Sequence, residues 1–559
     1  MHDLVIRNAQ VIDGTGTPPQ RLDVAVSGTH IVALGTHLGP AREVVDAGGL
    51  TLAPGIVDTH THYDAQVTWD PFLSPSPSLG VTTALMGNCG FTIAPCRPED
   101  RELTMRNLTH VEGMSLDALR AGIDWGFESF PQYLDQIERS GLGLNAACFV
   151  GHSSVRTYVL REDATRRTAT AEEVERMRTL VDEAMRAGAL GFSTTRSGQH
   201  NGEAGIPMPS RLADQNELLA LSAVLKRHGR GVLMMTKDAL ATTIESIEAL
   251  ANEAQRPYVV AALLHSTATP DGTFDDLRRI AEANARGNRL HGAVSVCPLN
   301  FEFTMHEPYV LEGLQAWRPV MTAAKSEMRT LLASAELREN VKRELSVPAR
   351  RLFDGHWHLM HVAQVKHERN QGMEGKSVAE LGRAAGKHPF DFALDLALEE
   401  DLDTVFTATL LNSDEEAVGR MMLDPNSLIS LSDAGAHLTF LCDAGFGLHL
   451  FGHWVRERGL MSLHEAVRKV TGHPAKVFGL QGRGTLVAGN FADMMLFDPA
   501  TVGRGPSKRV RDLPAGASRL TSPAKGLHGV WVNGQRVADA QGMLPMAPKA
   551  GQLLRHFDA

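Results

Sequence analysis

Short apolar runs recur through the middle of the chain and separate longer amphipathic stretches. Each run holds four to seven residues, the length of a buried strand, and most are bounded by glycine or by polar residues. One amphipathic stretch, residues 171–186, begins after Thr170, an N-cap residue, and stops at Gly188. Another spans 238–253. The eight runs are 55–58, 81–86, 145–150, 191–194, 231–235, 258–264, 292–296 and 428–432.

Eight strands that alternate with helices predict an α/β protein, a (β/α)8 TIM-type barrel over residues 55–484. The longest interruption lies between the seventh and eighth runs. Residues 300–425 carry further helical patterns there, around 321–345 and 377–399, and are expected to form a helical insertion.

Both ends of the chain have a different pattern, with β-branched strands and tight turns. A hairpin is expected around Ser27-Gly28, and Asn533-Gly534 is a strong turn signal. Neither end is long enough to bury a core alone. We therefore expect residues 1–54 and 485–559 to build one small β-sandwich domain together.

Composition and charge narrow the classes of function. Lys and Arg total 55 against 65 Asp and Glu, a net charge of −10 that does not favour a general nucleic-acid binder. Five cysteines without a CxxC pair do not indicate a disulfide framework. The first residues lack the pattern of a signal peptide, and no apolar run is long enough for a membrane helix. These features predict a cytoplasmic protein without a membrane partner.

The segment Asp58-Thr-His60-Thr-His62 directly follows the first apolar run and is the sharpest chemical feature. Residues two apart on a strand face the same side, roughly 6–7 Å from each other, so two imidazoles can share one ion. At the carboxyl end of a barrel strand they would lie at the catalytic face. We interpret His60 and His62 as metal ligands, and a polar loop as the alternative.

Two further residues follow strands in the same way. Cys89 stands between glycines after the second run, and a thiolate is a strong zinc ligand. His265 directly follows the sixth run. We predict that both residues bind the metal. The alternative is that both are buried core residues. The other cysteines that follow no such pattern, Cys148, Cys297 and Cys442, are expected in the core.

Asp433 follows the eighth run and would lie beside the first strand in a closed barrel. A carboxylate there can bind a metal and can also take the proton of an attacking water and pass it to a leaving nitrogen. We predict Asp433 as metal ligand and as catalytic acid–base, with a helix N-cap as the alternative. For His437, a position in the lining of the pocket and a purely structural role are equally favoured.

These features together resemble the amidohydrolase superfamily, and within it the N-acyl-D-amino-acid deacylase (D-aminoacylase) branch, over nearly the whole chain. Further similar segments are Gly87-Asn-Cys-Gly90, Gly151-His152-Ser-Ser-Val-Arg156, Gly188-Ala-Leu-Gly-Phe-Ser-Thr194 and Arg483 to Asp493. The resemblance implies a zinc-dependent barrel hydrolase with one or two divalent ions. It also implies that His60, His62, Cys89, His265 and Asp433 occupy metal-site positions.

The sequence departs from that pattern on the fifth strand, where the family has a metal-binding histidine and this chain reads Met-Met-Thr236-Lys237-Asp238. Lys237 is our candidate replacement, as a carboxylated metal ligand, a neutral amine or a substrate-facing cation, with a solvated loop residue as the alternative. The lysine that follows the family's sixth-strand histidine is also absent, and the seventh strand reads Val294-Ser-Val-Cys-Pro298.

The function predicted is hydrolysis of a non-peptide amide C–N bond in a small molecule, by an N-acyl-D-amino-acid deacylase-like enzyme. Hydrolysis of a cyclic amide, imide or carbamate is the first alternative. A barrel that has lost catalysis and serves binding or assembly is the second. The sequence does not decide whether the chain forms a homo-oligomer. No nucleotide cofactor is expected. A histidine group at 356, 358, 361 and 367 is interpreted as structural or pocket-lining rather than as a second metal site.

Overall fold

The computed structural model describes residues 1–202, 205–238, 242–306, 308–349, 351–436 and 443–558. Within these ranges the secondary structure divides into an eight-stranded parallel sheet with helices, a nine-stranded sheet from both chain ends, and a separate unit inserted late in the chain. The division matches the pattern of apolar runs.

The parallel sheet contains one strand from each of the eight predicted runs. Its strands follow one another in chain order, and neighbours pair in parallel. The first and last strands meet just beyond their ends, where His62 N donates to the carbonyl of Ala434 at 2.7 Å. The strands are β1 (Ile56–Asp58), β2 (Val81–Met86), β3 (Asn145–Gly151), β4 (Gly191–Thr195), β5 (Val232–Thr236), β6 (Tyr258–Leu263), β7 (Leu290–Val294) and β8 (Ser427–Ile429).

Helices follow most of these strands and bury their apolar sides against the sheet. The helix predicted at 171–186 is confirmed as Ala171–Ala187, with a capping box at Thr170 and a left-handed Gly188 after its end. The one predicted at 238–253 starts later, at Ile244, behind a Thr243 cap. The helices around the sheet are Arg101–Val111, Leu116–Gly122, Phe130–Ser140, His152–Leu160, Ala171–Ala187, Gln215–His228, Ile244–Ala254, Gly272–Ala285, Glu415–Leu423, Phe446–His449, the π-helix Leu450–Glu457, Leu463–Val470 and Gly472–Val477.

None of the helices described in these ranges combines the length and apolarity that crossing a membrane requires.

Strands from the two chain ends pair in one nine-stranded sheet. Thr51–Pro54 pairs with Met494–Phe497 and joins the two halves. The hairpins at Gly28 and at Asn533-Gly534 are both present. The strands are His2–Val11, Gln20–Ser27, His30–Gly35, Ala41–Asp46, Thr51–Pro54, Met494–Phe497, Leu527–Val532, Gln535–Asp539 and Gly542–Met543.

The end of the chain leaves this sheet again. Gly551 pairs with Leu142 and Leu553 with Ala146, so the last residues lie along the start of β3 rather than within the terminal sheet. Two short pairs of strands lie before it, Gly503–Arg504 with Ala524–Lys525 and Lys508–Val510 with Arg519–Thr521.

The late insertion has its own hydrophobic core. It is not only helical, because three antiparallel strands run through it, Leu299–Phe303, Met360–Gln364 and Val405–Leu411. The insertion ends with the strand Val405–Leu411. The next helix, which begins at Glu415, packs beside β8. Its helices are Arg318–Met321, Lys325–Ala333, Ala335–Leu345, Val378–Ala384 and Pro389–Glu399.

Candidate metal centre

His60 and His62 lie just past the end of β1, buried and side by side. Their ring centroids are 5.2 Å apart. The backbone between them is held on both sides, since Thr61 donates its hydroxyl to Leu85 O at 2.8 Å and the His62 amide donates to Ala434 O. The i, i+2 spacing therefore brings both imidazoles to one position, as the sequence predicts.

Cys89 reaches the same position from the turn Asn88–Gly90 that follows β2. Its sulfur lies 3.4 Å from His60 Nε2 and 4.0 Å from His62 Nε2. Cys89 has a φ of 57°, a left-handed conformation that non-glycine residues rarely adopt and that is often found at functional sites. Gly87 lets the turn pass close to β3, because a Cβ there would be 2.7 Å from Phe149 O.

Asp433 completes the group from beyond β8. Its Oδ1 lies 3.2 Å from His60 Nε2 and 3.6 Å from His62 Nε2. Asp433 also has a left-handed φ, of 46°, and its amide donates to His60 O at 3.1 Å. Ser432 donates its hydroxyl to Asp58 Oδ2 at 2.6 Å, which ties the end of β8 to β1. Tertiary structure thus joins residues that are more than 370 positions apart.

Glu112 is a site residue that the sequence pattern missed. It follows the helix Arg101–Val111, is buried, and places Oε1 3.1 Å from His62 Nδ1. Burial opposes charge on His62, but Glu112, Asp433 and Cys89 outweigh it and hold the pKa of His62 well above its usual value. A lone glutamate among Val111, Gly113 and Met114 is its only signal in the sequence.

Other carboxylates near the cluster are buried as well. Burial raises the pKa of Asp58 to about 7, against the hydrogen bond from Ser432. Burial likewise raises the pKa of Asp64 to about 7, although Asp64 accepts a hydrogen bond from the Gly87 amide at 3.0 Å. The pKa of the Cys89 thiol is also raised by burial. Without a cation, this concentration of acidic groups is costly.

A small cavity of about 70 Å³ opens onto the cluster. The residue that faces it from the end of β5 is Thr236, whose hydroxyl lies 3.1 Å from Cys89 Sγ, and the residue from β6 is Ala262. His200 contributes from the loop after β4, with its Nδ1 2.7 Å from Thr195 Oγ1. The full lining is His60, His62, Cys89, Phe91, Val111, Glu112, His200, Thr236, Ala262, Leu431 and Asp433.

The structure does not bring Lys237 or His265 into this cluster. Lys237 is buried with its Nζ 2.9 Å from Asp276 Oδ2, and neither residue lines the cavity. The His265 ring packs near Phe274, with a centroid distance of 6.2 Å. For Lys237 the reason is alternation, because residues one apart on a strand face opposite sides. Thr236 faces the cluster, and its neighbour Lys237 faces the helix Gly272–Ala285.

The remaining predicted histidines and cysteines lie elsewhere. His356 contacts Asp354 at 3.1 Å and belongs to the insertion. In the described ranges, the one group of three or more His, Cys, Asp or Glu ligand atoms within 4.8 Å is His60, His62 and Cys89. Cys148 and Cys297 are buried, as expected of core residues. His437 and Cys442 lie outside the described residues.

The segment from His152 to Arg156 follows the carboxyl end of β3, the same end of the sheet as the cluster. His152 Nε2 and Arg156 both contact the carboxylate of Glu217, the first at 2.8 Å, and His152 Nδ1 lies 2.8 Å from Thr194 Oγ1. Burial favours the neutral acid, but His152 and Arg156 reverse this and lower the pKa of Glu217. The buried network links the ends of β3 and β4.

With this geometry in place, comparison with known proteins gives a consistent result. A family model described as the amidohydrolase family matches residues 43–538. D-aminoacylase from Alcaligenes xylosoxydans xylosoxydans is 30% identical over 552 residues, 96% of this chain and 95% of that protein. The chain belongs to the amidohydrolase family.

Solved structures point to the same branch. A crystal structure of D-aminoacylase has a TM-score of 0.68 and 25% identity, and covers 99% of this chain and 100% of its own. A second D-aminoacylase structure, described for its binuclear metal centre, has a TM-score of 0.65, 25% identity and the same coverage. Within the amidohydrolases, this chain is therefore similar to D-aminoacylase.

Proposed function

We propose that the protein is a metal-dependent hydrolase of an amide C–N bond, of the N-acyl-D-amino-acid deacylase kind. The observation that carries the proposal is the cluster of His60, His62 and Cys89, whose ligand atoms lie within 4.8 Å of one another, with Asp433 Oδ1 at 3.2 and 3.6 Å from the two histidines. The similarity to D-aminoacylase along almost the whole chain supports the substrate class, a small amide.

The same proposal includes the architecture. The eight parallel strands would form a (β/α)8 barrel over residues 55–484, closed by the contact between Thr61 and Ala434. The two chain ends, 1–54 and 485–559, would form a small β domain beside it. In such barrels the catalytic groups lie at the carboxyl ends of the strands, which is where the cluster lies.

The donor set fits zinc. Zinc bonds of about 2.0–2.3 Å in a tetrahedral site imply ligand atoms roughly 3.3–3.8 Å apart. The Cys89–His60 separation is 3.4 Å, and Asp433 lies 3.2 and 3.6 Å from the two histidines, whereas Cys89 and His62, at 4.0 Å, are slightly further apart than this range. Imidazole, thiolate and carboxylate are all zinc ligands, and a divalent charge would offset the buried thiolate and carboxylates.

A zinc ion held by His60, His62, Cys89 and Asp433 would supply Lewis-acid chemistry, polarising the substrate carbonyl and lowering the pKa of a water towards ~7. The protein's own part is proton transfer by Asp433. Its Oδ1 lies among the ligand atoms, so Oδ2 accepts the proton that the water releases as it attacks the carbonyl carbon. As the C–N bond breaks, the same oxygen gives that proton to the leaving nitrogen, which departs as a neutral amine.

We further propose that the site holds one ion rather than two. A second ion next to Cys89 would need donors from the neighbouring strands. The residues facing the cluster from β5 and β6 are Thr236 and Ala262, a weak donor and a methyl group. A third source of ligands, a carboxylated Lys237, is not favoured by its ion pair with Asp276.

The experiment that tests the metal site compares two buried cysteines. Cys89→Ser should lose bound zinc, and the cobalt-substituted protein should lose its sulfur-to-cobalt absorption band. Cys148→Ser, on β3, is the matched control and should retain both. A stoichiometry of two ions per chain would contradict the single-ion proposal, and equal zinc content in both variants would contradict Cys89 as a ligand.

The substrate class is tested separately with purified zinc-loaded protein. N-acetyl-D-amino acids should be hydrolysed faster than their L enantiomers and faster than hydantoins or carbamates. Hydrolysis of the cyclic compounds alone would replace the deacylase proposal with the cyclic-amide alternative. Zinc binding without any amide hydrolysis would favour the non-catalytic alternative.

A further inference from the structure

A second and larger cavity, of about 870 Å³, lies at the opposite ends of the parallel strands. Its wall includes Val232 at the start of β5, Pro257 just before β6 and His291 near the start of β7. The segment from Gly472 to Arg483 forms another side. The metal cluster lies at the carboxyl ends, so the two cavities are separated by the length of the strands, roughly 15–20 Å.

Arg256 lines this cavity with its side chain almost completely buried, at 9% exposure. Its guanidinium donates to the carbonyls of Gly231, at 3.3 Å, and Gly229. These carbonyls follow the helix Gln215–His228, whose end carries about half a negative charge. In the described part of the chain no carboxylate lies within ion-pair distance of Arg256, so its full charge is only partly compensated.

Three more cations line the same space, and one of them, Arg483, is paired with Asp493. Arg289 and Lys476 line the cavity, and neither has an ion-pair partner within 4 Å in the described ranges. A neighbouring cavity of about 330 Å³ shares Arg256, Asn288 and Arg289 with it. The carboxylate on the lining is Asp558, which accepts a hydrogen bond from Gln481 at 2.9 Å. Positive charge therefore predominates.

A pair of histidines adds unused hydrogen-bonding capacity. The rings of His291 and His473 are 6.1 Å apart, edge to face. The Nδ1 atoms of both are buried, and among the described residues neither has a hydrogen-bond partner, which is an unfavourable state for a buried polar atom. Burial and nearby cations, including Arg289 at His291, lower the pKa of each to about 4, so both rings are neutral at pH 7. A neutral ring can donate one N–H to an oxygen.

We propose that this cavity is a binding site for a small organic anion, a carboxylate or a phosphate. It lies at the amino ends of the parallel strands, opposite the metal cluster. The anionic group would lie between Arg256 and Arg289. Apolar lining at Val232, Pro257 and Phe478 would contact the rest of the ligand. Such a ligand would neutralise the buried charge of Arg256, which no carboxylate among the described residues neutralises.

The experiment measures binding of two probes, inorganic phosphate and butyrate, to the zinc-loaded protein by calorimetry at constant ionic strength. The variant is Arg289→Gln, which changes an exposed side chain and should fold. The matched control is Arg176→Gln, an exposed arginine on the helix Ala171–Ala187 without an ion pair in the described structure. A second variant, Arg289→Gln with Lys476→Gln, checks that the effect grows with lost charge.

We expect at least one probe to bind the wild type and Arg176→Gln equally, with Kd about tenfold weaker in Arg289→Gln and weaker again in the double variant. Phosphate binding alone would assign the site to phosphates, and butyrate binding alone to carboxylates. Binding that is unchanged in Arg289→Gln would place the anion at the zinc ion and overturn the proposal. Absence of binding of both probes at ~10 mM would also overturn it, whatever the protein's hydrolytic activity.

Discussion

The two ends of the parallel sheet carry opposite chemistry. At the carboxyl ends of the strands, the buried residues His60, His62 and Cys89 and the partly exposed Asp433 form a donor set that suits a cation. At the amino ends, Arg256, Arg289 and Lys476 line a cavity that suits an anion. All eight strands run in one direction, so residues after the strands gather at one face and residues before them at the other.

A second difference separates the strands at their carboxyl ends. β1, β2 and β8 are followed by donors that point inward, whereas β5 and β6 present Thr236 and Ala262. Lys237 and His265, the polar residues that the sequence offers there, lie one and three positions further along the chain and face away. We therefore expect a residue at a strand end to serve as a metal ligand only when its position also turns the side chain towards the cluster.

The largest effect should come from Asp433→Asn. The amide keeps the shape of the side chain but does not accept a proton, so kcat should fall by ~10²–10⁴. Unfolding temperature and anion binding at the opposite face should stay near wild-type values, because the change is confined to one end of the sheet. Steady-state kinetics and calorimetry check this, and near-wild-type turnover would exclude Asp433 as the acid–base.

Lys237→Met should lower the free energy of unfolding by about 3 kcal/mol or more, because it removes the cation that pairs with the buried carboxylate of Asp276. Zinc content should not change, since Thr236 rather than Lys237 faces the cluster. Lys237→Met combined with Asp276→Leu should recover much of the stability. Loss of zinc in Lys237→Met, restored by short carboxylates, would instead support a carboxylated lysine at the metal.

Glu112→Gln should weaken zinc binding by about 10–100-fold, a typical effect of losing a carboxylate that orients a metal-binding histidine. Glu112 contacts His62 Nδ1, which leaves Nε2 for the ion. Chelator competition measures the affinity, with Glu128→Gln as a control at a glutamate outside the cavity lining. Equal affinities in the two variants would show that Glu112 does not position His62.

The smallest effect concerns pH at the amino-end face. His291 and His473 have folded-state pKa values of about 4, below the ordinary 6.5, so the unfolded chain binds more protons between these values. The stability that the two neutral rings contribute is fully present above pH 6.5 and is lost as the pH falls towards 4. The free energy of unfolding falls by at most ~1.4 kcal/mol per pH unit for each histidine. His291→Gln should flatten the pH dependence of urea unfolding, and an unchanged slope would contradict a buried neutral ring.

Much of the fold could be predicted from local pattern. The eight apolar runs correspond to the eight parallel strands, and Thr170 and Gly188 mark the ends of their helix. The antiparallel strands of the insertion were missed, because short apolar runs such as Met360–Gln364 do not distinguish a strand from a helix. The pairing of the two chain ends was expected, but the return of the last residues to β3 was not.

The sequence by itself determined where four donors could come from, because HxH after a strand, a cysteine between glycines and an aspartate after the last strand are local features. Only the tertiary structure decided which donors meet. It brought Asp433 to His60 across more than 370 residues, added Glu112 from a helix, and turned Lys237 and His265 away. The physical reason is that the direction of a side chain depends on its place in the alternation along a strand and on how that strand pairs with its neighbours. Neither composition nor the spacing of residues in the sequence encodes this pairing.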